Sequence, residues 1–431
     1  MNLAFLKNKE VKNAGWLIGE QIFQMLVSLF VGVLSARYLG PENYGALNYT
    51  ASFVALFTSV ATLGMDSVIL KKMVEAPDVE GGYLGSCIFF RFLSSLLSTL
   101  GIGILVFILN PNDQLKLILA LIQSIRLIFQ SFHLLEKWFQ RHLKLKFVAI
   151  GKMVACIIVS LYKIVLLATA QNIIWFAFAN TLTEGIIVLI LFFFYKRERG
   201  QKLFYNFSMG KEVLTGSYHF IISGLMVGVY SQMDKIMIGK MISDVDVGLY
   251  TTALGICSMW IFVPTAIINS FQSRIYELKQ AGDEKGYLDR LMKLYSIIIW
   301  LSLFVSVIIA LCSNMVVNVL YGEKYSGAAD ILRVAIWSEV FSMIGTMRGV
   351  WIVNEGKQKY VKYYLGCGAL VNLFLNFILI PLCGGVGAAV ATLVTQIVTS
   401  LGAPLLFKET RVFPKLVFNS FLQNPFKVGE K

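Results

Sequence analysis

The 431 residues are 57% hydrophobic and only 15% charged, with a mean hydropathy of +0.71. A soluble globular chain holds about 45–50% apolar and about 25% charged residues, so a water-soluble enzyme is excluded and an all-α polytopic membrane protein is indicated. The net charge of +13 does not point to nucleic acid, because the cations collect in short segments between apolar runs, the arrangement that orients membrane helices.

A hydrocarbon core of about 30 Å takes roughly 20 apolar residues as helix. Runs of that length fall near 14–37, 44–65, 83–109, 114–135, 147–169 and 173–195, and again near 214–239, 248–272, 291–313, 331–353, 361–382 and 385–407. That is about 12 transmembrane helices. Lys7, Lys9 and Lys12 precede a first run too long for a signal peptide, so it reads as a retained helix. Of the 38 Lys and Arg, 27 lie in segments that share a side with the N-terminus, 5 lie on the opposite side and 6 lie within the runs. Excess Lys and Arg mark the cytoplasm. This predicts a multi-pass protein of the cell membrane with both termini cytoplasmic.

No gap is long enough for a soluble domain, and 273–290 reads as a surface helix and turn. The last two runs meet at a Pro381–Gly387 hinge, and small residues Gly384, Ala388 and Thr392 recur one turn apart, a spacing that lets helices approach closely in lipid. The chain reads as internally duplicated. Short outer turns, Arg37–Leu47 and Gly239–Tyr250, each carry a glycine (Gly45, Gly248) at the start of the next helix. The halves are 1–202, holding helices 1–6, and 203–431, holding helices 7–12. Two repeats related by an axis along the membrane normal occur in transporters.

Ionisable groups inside a membrane cost about 3 kcal/mol and persist beside a wet cavity or a partner. Gln123, Arg126, Gln130, His133 and Lys137 recur at intervals of 3, 4, 3 and 4 on the fourth run, which places them on one helical face. A basic stripe there suits a phosphate-bearing headgroup, or it forms a structural pair, for instance with Glu184. The fifth run repeats the pattern with Lys152, Cys156, Ser160 and Lys163; Lys152 sits where it can snorkel to the cytoplasmic interface, and Lys163 can line a cavity or pair. Arg91 has the same two readings. The first run carries Glu20, Gln24, Ser28 and Ser35, with Glu20 near the interface. Buried acids Glu184 and Glu339 are candidate coupling sites. Asp234-Lys235 either pairs with loop charges or forms an outer gate, and Asn372 and Asn376 are placed to hydrogen-bond between helices. Trp16, Trp138, Trp175 and Trp351 sit at run ends, the position of an interfacial belt, while Trp260 and Trp300 read as deep packing. The six cysteines, Cys87, Cys156, Cys257, Cys312, Cys367 and Cys383, form no Cys-x-x-Cys pair and the three histidines have no metal spacing. No phosphate-cradling Gly-x-x-x-x-Gly-Lys-Ser/Thr loop is present. Asp244-Val-Asp246 lies in a tight turn with no nucleotide-binding domain around it, so no enzyme, cofactor or metal is predicted.

A set of marks along the chain resembles the prokaryotic polysaccharide flippases, the Wzx-type lipid-linked oligosaccharide translocases of the multidrug/oligosaccharidyl-lipid/polysaccharide exporter superfamily. They are Ala36-Arg37-Tyr38-Leu39-Gly40-Pro41-Glu42-Asn43-Tyr44-Gly45, Leu63-Gly64-Met65, Asp234-Lys235-Ile236-Met237-Ile238-Gly239, Val247-Gly248-Leu249-Tyr250 with Ala253, and Asn372, Asn376, Ile380-Pro381 and Gly384 to Thr392. The resemblance covers essentially the whole chain. It implies two six-helix lobes around a central cavity that opens alternately to each side. It also implies movement of polyprenyl-diphosphate-linked oligosaccharide, the repeat unit of O-antigen, capsule or exopolysaccharide, from the cytoplasmic to the outer leaflet. A polysaccharide polymerase and a chain-length regulator are the implied partners. A cation-coupled multidrug extruder of the same fold is the rival; it should favour acids over bases in its cavity, against the stripe on helix 4.

Overall fold

The computed structural model describes residues 9–422, with side chains described from residue 15. Lys7, Lys427 and Lys431 lie outside the described residues, as do the side chains of Lys9 and Lys12. The chain forms two compact units, Met1–Leu39 with Ala46–Gln232, and Gly40–Gly45 with Met233–Lys431.

The first unit contains most of α1 (Lys9–Ala61), then α2 (Asp66–Glu75), α3 (Glu80–Leu109), α4 (Gln114–Gln130), α5 (Leu134–Arg141), α6 (Leu145–Ala168), α7 (Ile173–Arg197) and the first part of α8 (Phe207–Met241). At 53 residues α1 is two crossings fused at Gly40, whose φ of 71° is open to glycine alone at low cost; Pro41, which cannot donate to the preceding turn, follows it. Asp113 accepts the Lys116 backbone N–H at 3.0 Å and so starts α4, and Asn172 starts α7 in the same way through Ile174 at 3.1 Å. The helices are assembled for lipid. On α3 the exposed face is Leu97, Leu100, Ile104 and Ile108, while Ser95, Ser98, Ile102 and Val106 are buried. The Ser95 hydroxyl donates to the Leu127 carbonyl at 2.9 Å. Small polar residues face the neighbour and bulky apolar ones face outward because hydrocarbon gives no reason to bury leucine.

The segment after α7 is stitched to the start of α3. Gln201 Oε1 accepts from the Gly81 N–H at 3.0 Å, Gln201 Nε2 donates to the Pro77 carbonyl at 2.8 Å, and the Asn206 N–H donates to Ser86 Oγ at 2.8 Å. This fastening keeps the first half of α8 with the first unit.

The second unit holds the end of α8, then α9 (Asp244–Ser258), α10 (Phe262–Gln280), α11 (Glu284–Leu311), α12 (Ser313–Tyr321), α13 (Ala328–Asn354), α14 (Val361–Ile397), the short α15 (Ala403–Leu405) and α16 (Val412–Leu422). α13 is central and packs on α9, α11 and α14. The predicted surface helix at 273–290 is not separate: α10 runs to Gln280 and α11 starts at Glu284. The hinge predicted at Pro381–Gly387 is present as a break at Gly384, φ 55°, inside the 37-residue α14. The two turn glycines meet here. A Cβ at Gly45 would lie 1.7 Å from the Asp244 carbonyl oxygen, and one at Gly248 would lie 2.1 Å from the Pro41 carbonyl oxygen. Backbone touches backbone, which only glycine permits.

Nine helical segments among the described residues are long and apolar enough to cross a membrane. Two of them, 61 and 48 residues long, are each double length and contain the breaks at Gly40 and Gly384, which makes eleven crossings. The twelfth is α13, long enough at 27 residues but made less apolar by Arg333, Glu339 and Arg348.

Trp138 and Trp351, at run ends, are buried within the protein; the Trp138 Nε1–H donates to Glu80 Oε1 at 2.8 Å. Trp300, read as deep packing, is instead exposed and stacks on Phe421 at 5.2 Å between centroids. Glu20 is buried. Residues 412–422, outside the twelve runs, form a helix packed on α11.

Candidate functional site: polar clusters inside each unit

The stripe expected on one helix does not remain one stripe. α4 ends at Gln130, and a 3₁₀ turn, Ser131–His133, redirects the chain into α5, so residues before and after it face different neighbours. Gln123 is fully buried; its Nε2 donates to Thr50 Oγ1 at 2.8 Å and to the Leu47 carbonyl at 3.2 Å. It therefore packs α4 on α1 and lines no open space. Lys137, beyond the turn, lies 3.7 Å from Asp66. The same carboxylate takes a 2.9 Å hydrogen bond from Arg91 Nη2, whose side chain is buried. Arg91 is thus a structural cation in this conformation, and Asp66 is the partner the sequence did not reveal.

Gln130 Nε2 donates to Glu184 Oε1 at 2.9 Å, and His133 Nε2 lies 3.0 Å from Glu184 Oε2. On its other side the imidazole Nδ1 is 3.5 Å from Glu136, and Lys152 Nζ is 3.0 Å from Glu136. Lys152 does not snorkel; it pairs. Glu20 is within electrostatic reach of both Lys152 and Glu136. Three acids sit among the bases: Glu184, the pairing partner the sequence offered as the alternative to a basic lining, and Glu20 and Glu136. Helical spacing shows which residues share one helix face and says nothing of the face opposite. Arg126, one turn before Gln130, feels the Glu184 charge but has a buried Nε with no hydrogen-bond partner.

Two of the sequence stripes do converge. Gln24 and Ser28 of α1, Cys156, Ser160 and Lys163 of α6, and Thr183 of α7 line one cavity of about 130 Å³. The hydroxyls of Ser28 and Ser160 reach the Cys156 thiol. No acid lines this cavity. Lys163 is its cation, with neutral donors and acceptors around it and no ion pair among the described residues.

In the second unit, Asp234 of α8 does not pair with loop charges. It is buried, accepts from Tyr250 OH at 2.6 Å and Thr392 Oγ1 at 2.7 Å, and accepts from Asn376 Nδ2. Asn376 thus bonds between helices, as expected, and its Nδ2 also donates along α14 to Asn372 Oδ1 at 3.0 Å. Asn372 Nδ2 and Asn376 Oδ1 are buried without a partner. Asp234, Tyr250, Asn372, Asn376 and Thr392 were five scattered marks of the resemblance, on three helices; the fold collects them at one point. Glu339 of α13 has no cation beside it: its Oε2 is buried and unpartnered, with the Ser342 hydroxyl in reach. Among the described residues no group of three or more His, Cys, Asp or Glu could hold a metal ion.

Comparison with known proteins fits this picture. A family profile described as "Polysaccharide biosynthesis protein" matches residues 11–274, and the MatE profile matches 220–378. The capsular polysaccharide biosynthesis protein CapF of Staphylococcus aureus is 21% identical over 417 residues, covering 93% of this chain and 99% of CapF. Among solved structures, the lipid II flippase MurJ in its inward closed conformation superposes with a TM-score of 0.71 at 16% identity, covering 95% of this chain and 94% of MurJ. An inward-facing multidrug resistance MATE transporter of the MOP superfamily superposes at 0.67 and 16% identity, covering 91% and 96%. At such identity the structural likeness establishes the fold, an all-α polytopic transporter fold. With the profile matching more than half of its length, the chain is a member of the polysaccharide biosynthesis protein family.

Proposed function

We propose that this protein is a flippase that carries polyprenyl-diphosphate-linked oligosaccharide, a repeat unit of O-antigen, capsule or exopolysaccharide, from the cytoplasmic to the outer leaflet by alternating access. The observation that carries this reading is Lys163 in a polar cavity without an acid. A cation kept in a membrane without a counter-ion is costly, and an anionic headgroup offsets that cost when it arrives. Arg126, whose Nε lacks a partner, is the second candidate contact, with Gln130 and His133 beside it. Lys152, Gln123 and Arg91 hold the scaffold for these two. An outward-moving diphosphate gains about 2.3 kcal/mol per charge per 100 mV from an interior-negative potential, so no ATP site is required. Glu184, Glu339 and Asp234 are the candidate coupling or gating residues. A polysaccharide polymerase and a chain-length regulator would use the product. The test is surface polysaccharide export in cells carrying Lys163→Ala or Arg126→Ala. Export falls while membrane insertion stays normal; full export in both variants overturns the reading.

The MatE match over 220–378 favours a second reading, a cation-coupled multidrug extruder. Energised cells expressing the protein would then exclude a cationic dye, and Asp234→Asn would abolish the exclusion.

A further inference from the structure

Residues 412–422 are too short to span a bilayer, yet they do not lie outside it. Phe413 is buried between Tyr295, 5.8 Å away, and Trp351, 5.5 Å away, and Phe421 stacks on Trp300 at 5.2 Å. The charged rim of α11 is marked by Tyr287, whose hydroxyl donates to Glu355 at 3.2 Å, and by the Lys279–Glu355 pair at 3.0 Å. Trp300 lies thirteen residues further along α11, about 20 Å at 1.5 Å per residue. α16 therefore starts near the rim and dips into the hydrocarbon depth. Its eleven residues are about 16 Å long, close to one leaflet of a core about 30 Å thick.

α16 does not close on its neighbours. Between it, α11 and α13 a groove of about 310 Å³ remains, walled by Ile299, Leu303, Phe341, Ile344, Val417 and Phe421. Its tenfold lining is apolar throughout. The gap persists because the end of α14 widens into a π turn, Val398–Gly402, with Pro404 just beyond it, and the wider turn sets the backbone away from a regular helical path. The groove rim is exposed apolar surface, Trp300, Phe418 and Phe421. At the head of α16, Arg411 and Lys415 are exposed. Arg411 Nε donates to the Leu405 carbonyl at 2.7 Å and forms no ion pair among the described residues. The nearby acid, Glu409, is engaged by Lys359 at 3.5 Å.

We propose that this groove binds an anionic membrane phospholipid, one acyl chain lying beneath α16 and the phosphate held by Arg411 and Lys415. The leaflet is the one on the Lys/Arg-rich side. The length favours a phospholipid: a one-leaflet groove fits an acyl chain, whereas a polyprenyl tail is far longer. The site is separate from the Lys163 cavity and stands whether or not the flippase reading does.

The full-length protein, purified in mild detergent, is titrated with dioleoyl phosphatidylglycerol or dioleoyl phosphatidylcholine, and bound lipid is read by native mass spectrometry. Phosphatidylglycerol is retained in preference. Arg411→Gln and Lys415→Gln each lower its occupancy about fivefold, the worth of one interfacial cation, and leave phosphatidylcholine unchanged. Ile344→Trp, which fills the groove, lowers both. Because the two charge variants are at exposed positions, the folded protein survives them. Equal retention of the two lipids, or a preference untouched by both charge variants, overturns the proposal. Stoichiometric displacement of phosphatidylglycerol by a polyprenyl phosphate also overturns it, assigning the groove to a substrate tail.

Discussion

Gly248→Ala tests the backbone contact at the two turns. The added Cβ would lie 2.1 Å from the Pro41 carbonyl oxygen and 2.9 Å from its carbon, against an ordinary contact of at least 3.4 Å. The strands of backbone must part by more than an ångström, and no side chain is there to swing aside. Overpacking typically costs about 1–3 kcal/mol when side chains can yield, so a backbone-on-backbone clash lies at or above about 3 kcal/mol. For a unit of this size, where 1 kcal/mol shifts the midpoint by about 2–4 °C, the melting midpoint falls by about 6–12 °C. The assay is thermal loss of monodisperse protein in detergent at a fixed heating rate, since irreversible unfolding makes the midpoint rate-dependent. Gly345→Ala is the control: it lies in α13 with nothing within 4 Å of its Cβ, and it should hold or raise the midpoint, by about 0.5–1 kcal/mol in stability. If Gly248→Ala melts within 2 °C of the parent, roughly the effect of 1 kcal/mol, the close approach is not a feature of the folded protein.

Four more outcomes follow from the same reasoning. Asp234→Ala removes the carboxylate that the Tyr250 and Thr392 hydroxyls and the Asn376 amide share in a buried site, leaving the two hydroxyls only each other at 3.3 Å and the amide only Asn372 at 3.0 Å; with about 1.5–3 kcal/mol for each bond lost to a charged acceptor, it should reduce folded yield sharply, and Asp234→Asn should restore much of that yield without restoring transport. Phe413→Ala removes the anchor of α16 and should cost about 3–5 kcal/mol, read as accelerated proteolysis after residue 406. His142, outside the spans and donating from Nδ1 to the Trp138 carbonyl at 2.9 Å, is held below its ordinary pKa by burial. The unfolded chain therefore takes up the proton first: this stability is fully present above about pH 6.5, and is lost as pH falls through the folded value, a slope that His142→Gln should remove from a pH series of melting midpoints. Cys312 and Cys383 are exposed whereas Cys87 and Cys257 are buried; if both termini are cytoplasmic, an impermeant maleimide added to intact cells labels the first two, and labelling only after lysis inverts the topology.

The crossings were legible because each depends on one quantity, about 20 apolar residues in a row, and because the cations between them sort by side. The fused helices were legible as well: Gly40-Pro41 and Pro381 to Gly387 advertise breaks through backbone chemistry alone. What was hidden depends on two elements at once. Helical spacing found His133 and Lys137 but not Glu136 beside the first or Asp66 beside the second, since the opposing face is written elsewhere in the chain. The 3₁₀ turn at Ser131–His133 carries no proline or glycine, so nothing local announced that Lys137 would diverge. α16 was missed for a simpler reason: its eleven residues fall below the span length.

The fate of each buried cation in the first unit separates scaffold from candidate site more sharply than position along a helix does. Arg91 and Lys137 share Asp66, Lys152 takes Glu136, and His133 lies against Glu184. Removing the cation beside the largely buried Glu136 or Glu184 leaves a poorly solvated carboxylate, at up to about 3–5 kcal/mol, whereas Asp66 is half exposed and keeps one cation when the other is removed; substitution at Lys152 or His133 should therefore report on folding before it reports on transport. Lys163 is different. Its surroundings are hydroxyls, a thiol and an amide, and replacing it with a neutral residue removes a lone charge and creates none. Lys163→Gln should therefore be as stable as the parent or more so, and any loss of export in that variant belongs to the substrate and not to the fold. That asymmetry makes Lys163 the residue on which the flippase reading is most directly decided.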